Sequence, residues 1–70
     1  MKTNKYKFDG QIFTSLFHLK KYADSMGYGG ENFLASLNLT EMEIGIPCRY
    51  NKEYLLSLVT EETKIEIINL

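Results

Sequence analysis

Seventy residues, 44% of them hydrophobic and 24% charged, with a single proline, describe one globular unit and exclude a disordered chain. One cysteine excludes an internal disulfide framework, and no charged start leads into an apolar run of secretory type. No apolar stretch approaches the roughly 20 residues that span a bilayer, so a cytoplasmic protein with no membrane partner is expected.

The formal charge of -1 gives no global attraction to nucleic acid, but the charges are unevenly placed. Residues 1–30 hold five lysines against Asp9 and Asp24, whereas residues 31–70 hold seven glutamates against Arg49, Lys52 and Lys64.

Asp9-Gly10 sits between alternating residues and predicts a hairpin, because a type I′ turn needs positive φ at both central positions. Tyr6 then faces Phe13 and Phe8 faces Gln11. Tyr6, Phe8 and Phe13 share one face, while Lys5, Lys7 and Ile12 take the other. A base-stacking platform needs rings and cations on one exposed surface. This arrangement separates them and favours aromatics in the core with lysines in water.

Thr14 or Ser15 can cap a helix over about 15 to 26, in which Leu16, Leu19, Ala23 and Met26 form one stripe and Gly27 stops the chain. The glycines of residues 27–32, GYGGEN, read as a turn, since the Lys-Ser/Thr ending of a phosphate-binding loop is absent. Residues 31–37 predict a second, short helix with Phe33, Leu34 and Leu37 on one side and Asn38 as its stop. Beyond it, Met42, Ile44, Ile46 and Cys48 alternate with Glu41, Glu43, Gly45 and Pro47, the pattern of a half-buried strand at an edge.

Residues 53–59 and 63–69 are read as a hairpin that completes a meander. A competing reading makes Asn51 an N-cap and 52–61 a helix with Leu55, Leu58 and Val59 inward. The expected fold is therefore a single α+β domain over residues 1–70: an N-terminal hairpin, one to two short helices and a C-terminal antiparallel meander, ββααβββ.

Catalytic chemistry is poorly supplied. A nucleophile needs a base and an orienting group, and His18 and Cys48 are the only members of their kind, some thirty residues apart. One Cys and one His do not make a zinc tetrahedron, and the paired glutamates Glu41/Glu43 and Glu61/Glu62 read as solvated charges. No enzyme activity, metal or cofactor is expected.

Binding remains. In a meander, Tyr54, Leu56, Ile68 and Leu70 would leave apolar surface uncovered, with Glu53 and Glu66 on its polar rim, and such patches bind other proteins. The terminal strand would offer an edge to a second copy, making a homodimer the simplest assembly. The alternative is weak, salt-sensitive nucleic-acid binding through Lys5, Lys7, Lys20, Lys21 and Tyr28, against which stands a single arginine.

Seven lysines to one arginine, with many Asn, Ile and Tyr, is the usage of AT-rich coding sequence. In size, usage and lack of catalytic groups the chain resembles the small proteins of phages and mobile elements, among them anti-CRISPR inhibitors of bacterial defence. No motif carries that likeness. It implies stoichiometric inhibition of a host protein and no particular residues.

Overall fold

The computed structural model describes residues 4–69, which form β1 (Asn4–Phe8), β2 (Gln11–Phe13), α1 (Leu16–Ser25), α2 (Glu31–Glu43), α3 (Lys52–Leu58) and β3 (Glu66–Asn69). The class is α+β, as expected. The sheet has the order β2-β1-β3 and is antiparallel throughout, so the last strand returns to pair with the first.

The hairpin follows from its turn. Asp9 and Gly10 have φ of 54° and 76°, which a type I′ turn demands, and the register is Tyr6↔Phe13, Lys7↔Ile12 and Phe8↔Gln11. Tyr6 and Phe8 are buried beneath α1 and α2, whereas Lys7 and Ile12 are exposed on the outer face.

Ser15 caps α1: in extended backbone, its Oγ accepts the His18 N–H at 3.2 Å. Leu19 and Ala23 point inward and are fully buried. The helix ends in a Schellman motif, with the Tyr28 N–H donating to the Ala23 carbonyl at 2.8 Å and the Gly27 N–H to the Asp24 carbonyl at 3.3 Å. Gly27 supplies the positive φ of 85° that this geometry needs.

α2 corrects the strand expected over 41–48. The helix does not stop at Asn38, whose Nδ2 instead donates back to the Leu34 carbonyl at 2.9 Å. It continues to Glu43, burying Phe33, Ser36, Leu37 and Thr40 at helical spacing. A second Schellman motif closes it: the Ile46 N–H reaches the Glu41 carbonyl at 2.9 Å and the Gly45 N–H the Met42 carbonyl at 3.1 Å, with Gly45 at φ 99°. Pro47 follows the cap, where a helix cannot continue. The alternation of Met42, Ile44 and Ile46 was thus the tail of a helix and its cap.

The meander is likewise replaced. Residues 52–58 are helical, and Asn51 Oδ1 accepts the Glu53 N–H at 2.8 Å, so the competing N-cap reading describes α3. Leu55 is its buried residue. Thr60 and Thr63 then bind each other, the Thr60 N–H donating to Thr63 Oγ1 at 3.1 Å, and this turn delivers β3 to the free side of β1. The helical content rises from one or two helices to three, and the C-terminal sheet contracts to one strand.

At the centre lies Phe8. Its ring meets Tyr28 edge-on at 5.1 Å, Tyr22 at 6.4 Å and Phe33 at 5.4 Å, joining the sheet to both long helices.

Two outcomes test this account by chemical denaturation followed by circular dichroism. Phe8→Ala should cost about 3–5 kcal/mol, as much as a domain of this size has, and abolish the cooperative transition. Gly45→Ala meets open space but an unfavourable backbone, so it should lower stability by about 1–2 kcal/mol; an unchanged midpoint would contradict the helix cap.

Candidate functional site

α3 lies along α2 with Leu55 inward, and its two flanks carry apolar side chains that no other element covers fully. On one flank Tyr54 and Leu58 face Leu34, Ala35 and Asn38 of α2, and Tyr50 of the preceding loop closes a groove of about 270 Å³. The rings of Tyr50 and Tyr54 stack at 6.3 Å and 27°. Leu34, Tyr50 and Tyr54 remain 44, 55 and 52% exposed, and together they form one contiguous apolar patch.

The loop that presents Tyr50 is tied to the helix beneath it. Cys48 Sγ accepts the Tyr50 N–H at 3.5 Å and lies 3.8 Å from Asn38 Oδ1, to which it donates. Its half-buried position between loop and helix is a positioning role. Glu31 stands at one end of the groove.

On the other flank Leu56 and Val59 face Leu39 and Met42 across a second groove of about 310 Å³, closed by Ile65. A third depression, of about 490 Å³, is polar and runs between the hairpin turn and β3, where Glu43, Glu61 and Glu66 accompany Lys7 and Lys64.

The structure does not bring the expected binding residues onto one sheet face. Tyr54 and Leu56 lie on opposite flanks of a helix, Glu53 is exposed on that helix, and Ile68 and Glu66 lie on the outer sheet face beside Lys5 and Lys7. Leu70 lies outside the described residues. Leu34 and Tyr50 were missed, because their meeting with Tyr54 depends on α3 being helical and on the loop that leads into its cap at Asn51.

The lysines separate as well. Lys5 and Lys7 occupy the outer sheet face, whereas Lys20 and Lys21 stand on α1, which packs against the inner face. Tyr28 is half-buried against Phe8, and Lys21 Nζ rests 5.8 Å from the exposed Phe17 ring. His18 is exposed with Nδ1 2.8 Å from Ser15 Oγ, next to the helix cap. Glu41 and Glu43 belong to the last turn of α2, not to one face of a strand. Among the described residues there is no cluster of three His, Cys, Asp or Glu side chains suited to a metal, and no helix long and apolar enough to cross a membrane.

Neither a protein-family model, nor a curated protein, nor a solved structure matches the chain. Its surface is therefore the basis for a functional reading.

The clearest electrostatic perturbation is structural. The Tyr22 hydroxyl donates to Asp9 Oδ2 at 2.6 Å and accepts from Gln11 Nε2 at 3.2 Å, tying the hairpin turn to α1. That bond to Asp9 chiefly, then burial and the Asp9 charge, raise the Tyr22 pKa above its ordinary value of 10.0. The protonated phenol favours the folded state, so this stabilisation is full below about pH 10 and is lost as pH rises through the raised value. Urea midpoints of the wild type should exceed those of Tyr22→Phe at neutral pH, and the gap should close in strong alkali.

Proposed function

We propose that this chain is a non-catalytic protein-binding module that acts by stoichiometric contact, with the shelf of Leu34, Tyr50 and Tyr54 as its centre. The observation that carries the reading is the stacked, half-exposed tyrosine pair facing an exposed leucine across a preformed groove. Tyrosine suits such a role because it offers a large, rigid area with few rotatable bonds and a polar tip. Glu31 and Asn38 line the shelf and would set its polar rim.

A protein partner would insert an apolar anchor beside Tyr54 and be held mainly by desolvation. Salt screens charges and leaves such a contact largely intact. The low arginine usage and the separation of Lys5 and Lys7 on the sheet from Lys20 and Lys21 on α1 support this reading over nucleic-acid binding. Within it, the chain is an inhibitor of a host protein, encoded by a phage or mobile element, that works by covering a surface its target needs.

The test is affinity purification on the immobilised protein, with and without nuclease and at low and high salt, using wild type, Tyr54→Ala and a Lys5→Glu/Lys7→Glu variant in parallel. A stoichiometric protein should be retained at high salt by the wild type and the lysine variant. Tyr54→Ala should weaken its binding about 30-fold, the scale of a hot-spot residue, and the purified wild type should suppress the partner's activity at a one-to-one ratio. Recovery of nucleic acid alone, released by salt and dependent on Lys5 and Lys7, would overturn the proposal.

A further inference from the structure

β3 forms one edge of the sheet, and no further strand lies beyond it among the described residues. Natural edges are blunted by proline, lysine, a bulge or extreme shortness. Glu66-Ile67-Ile68-Asn69 has no proline and no lysine, and it pairs with β1 in an unbroken register, Lys7↔Glu66 through Asn4↔Asn69. The opposite edge, β2, is only three residues long. Glu66 is the one charge on β3, and at four residues β3 is one longer than β2, so its edge is only partly blunted and is a template for another strand.

We propose that the occupant is β3 of a second copy, added antiparallel about a two-fold axis normal to the sheet, with Ile67 facing Ile67 of the partner copy. This surface is separate from the tyrosine shelf and does not depend on it. The axis keeps the two inner faces on the same side, so an inner-face residue must meet an inner-face residue. Ile67 pairs with Tyr6 on the inner face, while Glu66 and Ile68 pair with Lys7 and Lys5 on the outer one.

Few symmetric registers satisfy that rule. Centring on Glu66 sets two carboxylates directly opposite each other, which is destabilising. Centring on Ile68 sets the apolar Ile67 against Asn69. Centring on Ile67 brings the two half-buried isoleucines into contact and extends the Tyr6–Ile67 row across the seam. On the outer face the same register seats Glu66 between its own Lys7 and the second copy's Ile68, with Lys5 of that copy next across. Opposite charges therefore bracket the join, and like charges do not meet.

The interface is short, so the dimer should be weak and concentration-dependent. Sedimentation of the full chain should show dimer growing with concentration, and a monomer at every concentration up to about 1 mM would overturn the pairing, since that is a binding free energy near -4 kcal/mol. Register is read by cysteine crosslinking in a Cys48→Ser background. Ile67→Cys should oxidise to a covalent dimer, Glu66→Cys alone should not, and a mixture of Glu66→Cys with Ile68→Cys should link the two. The mixture uses only outer-face positions and keeps the test intact should Ile67→Cys fold poorly. Self-linking of Glu66→Cys or Ile68→Cys, with none in the mixture, would overturn the register. Tyr54→Ala should leave sedimentation unchanged, which separates this result from the fate of the shelf.

Discussion

The packing of one ring, Phe8, is the contact on which the remaining structure depends. From the hairpin it meets α1, the link after α1 and α2, through Tyr22, Tyr28 and Phe33. A chain of 70 residues cannot build several independent cores, because too little of its surface is buried. Its architecture is instead organised around a central aromatic cluster, with Leu19 and Ala23 filling the sheet side of α1.

Local chemistry then decides where each element stops. The two glycine caps, at Gly27 and Gly45, turn the chain back after α1 and α2, and in each the residue that follows the glycine reaches back to a helix carbonyl. The first cap points Tyr28 at Phe8. The second frees Ile46 and Pro47 into the loop that carries Cys48 and Tyr50 to the edge of the candidate surface. The caps thus link core and surface in one chain path.

This division explains what was legible in the sequence. The hairpin and α1 could be read because their signals are short and local: Asp9-Gly10 permits one turn, and Ser15 and Gly27 bracket a single apolar stripe. α2 was harder because its buried face mixes the apolar Phe33 and Leu37 with the polar Ser36 and Thr40, so no continuous apolar stripe marks it. Its last turn imitates a strand by alternation, and the decisive mark, a glycine two residues before a proline, lies outside the helix. β3 could be read as a strand, but its partner could not, because pairing across the length of the chain leaves no local trace. The candidate surface suffered the same loss: Tyr54 was legible as an exposed aromatic, while its neighbours depend on α3 being helical and on α2 passing beneath it.

The pairing of β1 with β3 has a kinetic consequence. β1 and β2 meet across a two-residue turn, whereas Asn4 meets Asn69 only after nearly the whole chain has been drawn into a loop. The entropy of closing that loop must be met before its contacts form, which slows the step relative to hairpin and helix formation. Until β3 arrives, the central strand itself is an edge, and its hydrogen-bonding groups are open to any extended segment nearby. Crowded chains at this stage can exchange their final strands, so the route to the monomer passes a branch point leading to intertwined copies.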